Sequence, residues 1–167
     1  MMIDKIIKLF KIIRAHFRIN ILGGLNLYLN HRITNCEFIY KQVLHGFPVY
    51  VLYDDDVLMA TNYKHSSIYV IGFTYFTRKI IIVLSEEIKK LGIESFMIQH
   101  EIGHVLNEVL SGSEISEKET LENNIIADDF ALDINGVEST CRALNIIHRL
   151  KWITDDEYYA RCKNIRK

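Results

Sequence analysis

The chain has 167 residues, of which 49% are hydrophobic and 25% are charged, and its formal net charge is −1 at pH 7. This composition is that of a folded soluble protein and excludes a disordered tail or a membrane bundle. A net charge near zero gives no sign of a basic surface for DNA or RNA. With one proline and eight glycines, no flexible linker divides the sequence. We therefore expect one domain over residues 1–167 and no nucleic-acid partner.

The first twenty residues have apolar side chains at helical spacing and basic side chains mostly on the other side: Ile3, Ile6, Ile7, Phe10, Ile13 and Phe17, against Lys5, Lys8, Lys11 and Arg18. This pattern predicts an amphipathic helix over residues 1–20. Because lysines interrupt the apolar residues, the segment is not a secretory signal peptide. We expect the apolar face to pack on the domain, with weak contact to a membrane surface as the alternative.

The remainder of the first half has the composition of turns and strands. Turns are predicted at Gly23-Gly24 and at residues 30–32. Strands are predicted over 48–53, ending at an acidic turn over 54–56, and over 67–73 and Lys79–Leu84. Together these segments predict a small, mostly antiparallel sheet.

The second half is predicted to be helical. Helices are expected over Glu94–Leu110, over Leu121–Asn135 with Gly136 closing it, and over 139–152. A capping box from Thr154 to Glu157 predicts the start of a last short helix. A sheet followed by helices indicates an α+β fold, in which we expect the small sheet to pack on the helices.

Residues 100–104 read His-Glu-Ile-Gly-His inside the first of these predicted helices. His100 and His104 are one turn apart on one helix face, so both imidazoles can reach a single ion at about 2 Å, as in zinc sites. Glu101 leaves the helix at another angle, beside the ion, where it can act as general base on a water molecule. Apolar neighbours on both sides indicate a buried helix, in which two histidines and a glutamate are costly without a purpose. Gly103 allows another backbone to approach closely.

A catalytic zinc site needs a third protein ligand and an open fourth position. A further histidine six residues after His104 is absent, because Leu110 stands there, and Asn107 replaces the glycine expected before it. Glu108 shares a face with His104 but lies a turn further along the same helix, out of reach. The third ligand is therefore expected from the next helix.

That next helix contains the run Asn-Ile-Ile-Ala-Asp-Asp-Phe-Ala over residues 124–131. His-Glu-Ile-Gly-His followed by Ala-Asp-x-Phe-Ala resembles the gluzincin branch of the zincin metallopeptidases, which includes thermolysin-like and small ImmA/IrrE-like peptidases. The resemblance covers roughly residues 94–133. It implies a minimal zincin-like fold, a Zn²⁺ cofactor and hydrolysis of a peptide or protein substrate. It also implies that a glutamate of the second helix binds zinc, while an aspartate one turn later orients the first histidine.

The sequence departs from the family pattern at the ligand position, where Asn124 replaces the glutamate. Asp128 matches the family aspartate. Because a carboxylate is a better ligand for Zn²⁺ than an amide, we predict that Asp128 completes the site with His100 and His104. Binding by Asn124 through its amide oxygen is the first alternative, and Asp129 and Glu122 are the others.

Three functions follow as expectations. The first is zinc-dependent peptide hydrolysis with Glu101 as general base. The second is a catalytically weak protein that keeps a zincin fold for binding or regulation, and the third is a structural metal that ties two helices together. The resemblance also makes Lys79–Leu84 the candidate edge strand for a bound peptide; the alternative is a buried central strand, because residues 80–84 are apolar throughout. Cys36, Cys141 and Cys162 fit no disulfide framework, which favours a reducing, cytoplasmic location.

Overall fold

The computed structural model describes residues 2–35, 41–44, 47–71, 79–111 and 120–165. Seven helices lie in these residues: α1 Met2–Ile21, α2 Leu25–Asn35, α3 Asp55–Ala60, α4 Glu86–Leu91, α5 Glu94–Ser111, α6 Leu121–Arg149 and α7 Asp155–Ile165. The four described strands are β1 Lys41–Leu44, β2 Phe47–Tyr53, β3 Ser66–Ile71 and β4 Lys79–Leu84. The predicted α+β class is confirmed.

The chain forms two compact units, Met1–Glu87 and Ile88–Lys167. The first contains the described strands with α1, α2 and α3, and the second contains α5, α6 and α7. The boundary falls inside α4. A single domain over 1–167 stays a prediction.

The sheet of the first unit is mixed, with the strand order β1-β2-β4-β3. β1 pairs with β2 and β3 pairs with β4 in antiparallel orientation, whereas β2 and β4 are parallel. Two of the three pairings are antiparallel, which agrees with the predicted mostly antiparallel sheet. β2 and β4 can align in parallel because a helix and a further strand separate them in the chain. The predicted strand over 67–73 is observed as β3, and residues 72 and 73 lie outside the described residues.

The prediction that Lys79–Leu84 is an edge strand is wrong. β4 lies between β2 and β3, where Ile82 pairs with Val51 on one side and with Ile68 on the other. Ile80 to Leu84 are all buried. A strand that is covered on both faces and paired on both sides carries continuous apolar residues, so the unbroken run of isoleucine, valine and leucine indicated an interior strand.

Two of the predicted turns are parts of helices. Residues 30–32 lie inside α2, and the acidic run begins α3, where Asp54 is the N-cap. The Asp54 carboxylate accepts hydrogen bonds from the Val57 backbone N–H at 3.1 Å, from the Tyr28 hydroxyl at 3.0 Å and from Arg32 Nε at 3.0 Å. An aspartate satisfies the free N–H groups of a first turn, and this one also ties α2 to the end of β2.

The amphipathic helix at the start of the chain is confirmed as α1, but the orientation expected for it is wrong. Its buried residues include Ala15 and Ile19, on the side that contacts α2 and α3. The larger apolar side chains, such as Phe10 and Phe17, are exposed. None of the helices in the described ranges combines the length and hydropathy needed to cross a bilayer.

The second unit packs α6 against both α5 and α7. Gly136 has φ 78° and ψ 166°, a non-helical conformation that only glycine adopts readily, so α6 consists of two helical segments on either side of a kink, as the predicted end of a helix at Gly136 requires. The Thr154 hydroxyl accepts a hydrogen bond from the Glu157 backbone N–H at 3.2 Å, which confirms the predicted cap of α7.

Candidate metal centre

Helix α5 brings the two histidines of the motif together. His100 Nε2 and His104 Nε2 lie 3.1 Å apart, and the two rings meet nearly at right angles. His100 and Glu101 are buried, and His104 is partly buried. Two imidazole nitrogens at this separation can both reach one ion at about 2 Å. The spacing of four residues therefore produces the convergence that the sequence predicted.

Helix α6 crosses α5 at Gly103. This buried residue lies between His100 and His104 in the sequence. A Cβ atom at position 103 would lie 2.8 Å from the Cα atom of Ala127 and 3.0 Å from its carbonyl oxygen. Backbone touches backbone at this point, so the absence of a side chain at Gly103 is required. Because the two helices approach so closely, Asn124 and Asp128, which lie before and after Ala127 in α6, come near the two histidines.

Asp128 lies behind His100, on the side of the ring that faces away from His104. Its Oδ1 atom is 2.9 Å from His100 Nδ1 and accepts from Arg161 Nη2 at 2.7 Å, while its Oδ2 atom accepts from Arg161 Nε at 2.6 Å. Both carboxylate oxygens are thus occupied, and the residue is 1% exposed. Burial raises the pKa of Asp128, but the bonds from His100 and Arg161 outweigh burial and hold the pKa below its ordinary value.

These contacts do not favour Asp128 as the third metal ligand. They match the other role considered for it, in which the aspartate accepts from Nδ1 of a metal-binding histidine and fixes the ring. The Arg161 charge also pairs with the carboxylate and weakens its attraction for a cation.

Asn124 lies on α6 one turn before Asp128, and its side chain is near His104. Its side chain is buried, its Oδ1 atom has no hydrogen-bond partner, and its Nδ2 atom donates to Glu157 Oε1 at 3.3 Å. Because a carboxylate only accepts, the amide nitrogen must face Glu157 and the amide oxygen must face the other way. A buried oxygen without a partner is costly in a protein interior, and a bound cation would satisfy it.

The electrostatics of His104 are consistent with a metal ligand. Burial, followed by the nearby His100 and Arg161, lowers its pKa to about 3. The side chain of Asn124 and the charge of Asp128 act in the opposite direction, which places the amide close to this ring, although without a hydrogen bond. The ring is therefore neutral at neutral pH and keeps the lone pair that a metal requires.

The other candidates for the third ligand are placed differently. Glu122 and Asp129 are exposed on α6, and Asp129 accepts a hydrogen bond from Asn164 Nδ2 at 2.6 Å. The side chain of Glu108 lies outside the described residues. In the described parts of the chain, no three side chains of histidine, cysteine, aspartate or glutamate are grouped so as to hold a metal ion. The remaining candidate set is the two imidazoles with the buried Asn124 amide.

Sequence reasoning missed two residues of this centre, Glu157 and Arg161. Arg161 is 3% exposed and bonds both Asp128 and, through Nη1 at 3.0 Å, Glu157. The four-residue spacing of the pair on α7 was a usable signal for an ion pair. Nothing local in the sequence connects that pair to Asp128, which is 33 residues earlier.

No protein-family model, curated protein or solved structure matches the chain. The residues of this site and their geometry are therefore the basis for inferring a function.

Proposed function

We propose that the protein is a zinc-dependent peptide hydrolase in which His100, His104 and Asn124 bind the metal. The observation that carries the proposal is the convergence of two histidine Nε2 atoms, 3.1 Å apart, beside the buried, unpartnered Oδ1 atom of Asn124. The helix pairing of α5 and α6 around Gly103 supports a zincin-like fold for the second unit. In this proposal Asn124 replaces Asp128 as third ligand, and a fourth position is left open for water and substrate.

Each residue then has a separate task. A bound zinc ion would polarise the substrate carbonyl and lower the pKa of the attacking water. Glu101, next to His100 in α5, would serve as the general base for that water and as the proton donor to the leaving amine. Asp128 accepts a hydrogen bond from His100 Nδ1, which fixes the tautomer with a free lone pair on Nε2. Arg161 neutralises the buried Asp128 carboxylate, so this charge is tolerated in the protein interior.

A second candidate function has one observation in its favour. The neutral Asn124 amide replaces the carboxylate that the gluzincin pattern places here, and an amide binds Zn²⁺ more weakly. A catalytically weak protein that uses the zincin-like fold for binding or regulation would have such a site. Replacing Asn124 by glutamate separates the two: a large rise in zinc affinity and in cleavage would favour the weakened, regulatory site.

The first test is metal content. The tag-free protein, reconstituted with zinc and dialysed, should retain about one zinc per chain by elemental analysis. His100→Ala and His104→Ala should each abolish retention, because two ligands hold zinc poorly. His148→Ala is the matched control, since that ring lies at the far end of α6 against Tyr158. Equal zinc retention by all three variants would contradict the assignment.

The second test is turnover of a peptide library by the zinc-loaded protein. Glu101→Gln should keep the metal and lose at least about a hundredfold in rate, the scale of a lost general base. Glu138→Gln, an exposed position on α6, is the control and should cleave as the wild type does. Zinc binding without any cleavage would reject the hydrolase and leave the binding protein.

A further inference from the structure

The exposed side of α1 carries a continuous stripe of large apolar side chains. Successive members are three or four residues apart, so they share one helix face. All are about half exposed or more, with Phe10 at 68% and Phe17 at 64%. We call this the α1 stripe, and its members are Ile6, Phe10, Ile13, Phe17 and Ile21.

The α1 stripe faces away from the first unit. Ala15 and Ile19, on the opposite side of the helix, are buried where α1 contacts α2 and α3. Arg18 forms an ion pair with Asp56 at the start of α3, which fixes the rotation of the helix about its axis. A surface helix ordinarily buries its apolar stripe and exposes the other side. In α1, Ala15 and Ile19 face its own unit, and most of the large apolar side chains face outward.

The charges on α1 indicate which kind of surface the stripe can contact. The helix carries five basic side chains and one acidic one, in a chain whose net charge is −1. Lys5, Lys8, Lys11 and Arg14 are all exposed. By helical spacing Lys5 and Arg14 flank the stripe, whereas Lys8 and Lys11 lie on the other side of the helix, towards Ala15. A second copy of the chain seated on this face would bring two sets of cations together, which is unfavourable. An anionic lipid surface complements both the apolar stripe and the flanking charges.

We propose that α1 docks the protein on an anionic membrane surface, with the helix in the plane of the interface and the α1 stripe inserted below the headgroups. A helix of 20 residues with alternating basic and apolar positions suits this position and not a crossing of the bilayer. Lys5 and Arg14 then contact anionic headgroups, the other exposed lysines add to the attraction for a negative surface, and Ala15 and Ile19 keep α1 attached to α2 and α3. This function does not depend on the metal centre.

The test is flotation of the full chain with vesicles of phosphatidylcholine alone and with vesicles that contain about 30% phosphatidylserine. The wild type should float with the anionic vesicles and bind the neutral ones at least about tenfold less well, and high salt should weaken binding. Phe10→Ser with Phe17→Ser should lower binding at least about tenfold. Ile134→Ser with Val137→Ser, two exposed apolar residues of α6, is the matched control and should bind as the wild type does.

Several results would overturn the proposal. The wild type could fail to bind anionic vesicles, or the phenylalanine double variant could bind them as well as the wild type. The α6 control variant could also lose as much vesicle binding as the phenylalanine variant. Sedimentation velocity tests whether a second copy of the chain covers the stripe instead. If the wild type is a dimer that does not bind vesicles, and the phenylalanine variant is a monomer, the stripe is an interface between copies. Circular dichroism checks that the variants stay folded. Lys5→Glu with Lys8→Glu and Lys11→Glu should also abolish binding, and this second variant tests the proposal without changing any apolar residue.

Discussion

Glu157 on α7 holds the side-chain nitrogen of Asn124 on α6 at 3.3 Å, and this contact determines which end of the amide faces the histidines. Arg161 holds the Glu157 carboxylate in turn, at 3.0 Å from Nη1. A residue 33 positions away in the sequence thus orients the only amide ligand in the proposed metal centre. The orientation matters because an amide nitrogen, unlike an amide oxygen, cannot bind a cation.

Removing the acceptor at position 157 should therefore weaken zinc binding although Glu157 does not touch the metal. We expect Glu157→Ala to lower zinc affinity about 10–100-fold, the usual effect of losing a group that orients a ligand. Glu157→Gln keeps a side-chain oxygen that can accept from Asn124 and should stay within a few fold of the wild type. Competition with a chromophoric chelator measures both. Equal affinity in Glu157→Ala and the wild type would mean that the amide needs no orienting partner.

The roles of Asn124 and Asp128 are separable by experiment. From the sequence we predicted that Asp128→Ala would weaken zinc binding far more than Asn124→Ala. From the geometry we expect the zinc loss at Asn124→Ala to be as large or larger, because it removes the proposed ligand. Asp128→Ala should instead chiefly destabilise the fold, by about 3–5 kcal/mol, because it removes the buried carboxylate that Arg161 bonds twice and leaves the guanidinium only its pair with Glu157.

Two measurements decide between these roles: zinc affinity by chelator competition and unfolding free energy by urea titration of the metal-free protein. Asn124→Ala should change mainly the zinc affinity, and Asp128→Ala should change mainly the free energy of unfolding. A far larger zinc loss at Asp128→Ala, with the metal-free stability unchanged, would restore Asp128 as the third ligand.

Gly103 should not tolerate even one added methyl group. Glycine to alanine in an open helix normally stabilises a protein by about 1 kcal/mol. At Gly103 the added Cβ would meet the Ala127 backbone at 2.8 Å, so α5 and α6 would have to separate. We expect Gly103→Ala to lower the unfolding free energy by about 1–3 kcal/mol and to weaken zinc binding, since α6 carries Asn124. A higher melting temperature in this variant would show that the helices are not in contact there.

Tyr28 should make the first unit sensitive to alkaline pH. Burial, followed by the charge of Asp54 and the hydrogen bond to it, raises the pKa of Tyr28 from 10.0 to about 12. In the unfolded chain the hydroxyl ionises near 10, whereas in the folded chain it stays neutral until about 12. The contribution of the Tyr28 hydroxyl to the free energy of unfolding is therefore fully present below pH 10, and it is lost as the pH rises from 10 to about 12.

Urea unfolding followed by circular dichroism between pH 8 and pH 12 checks this pH dependence. Tyr28→Phe should be less stable than the wild type at pH 8, by about 1–2 kcal/mol for the lost hydrogen bond, and the gap should narrow above pH 10. Tyr159→Phe, at an exposed tyrosine of α7, should follow the wild type at every pH. A constant gap between the wild type and Tyr28→Phe would contradict the shifted pKa.

The sequence predicted those features that depend on neighbours within a few residues. The bounds of β4 agree with the apolar run Lys79–Leu84, and α5 agrees with Glu94–Leu110 to within one residue at its end. The cap of α7 follows from the spacing of Thr154 and Glu157. The convergence of His100 and His104 follows from the pitch of the helix alone, so four residues of spacing sufficed to place two nitrogens on one side.

The tertiary structure decided the features that depend on partners distant in sequence. The order of the sheet made β4 an interior strand, the contacts with α3 turned the large apolar side chains of α1 outward, and the arrival of Arg161 placed Asp128 behind His100. Helical and strand periodicities identify which residues share a face, because that depends on backbone geometry. They do not identify what covers the face, because hydrophobic burial is non-directional and a buried charge can pair with any side chain that the fold brings near.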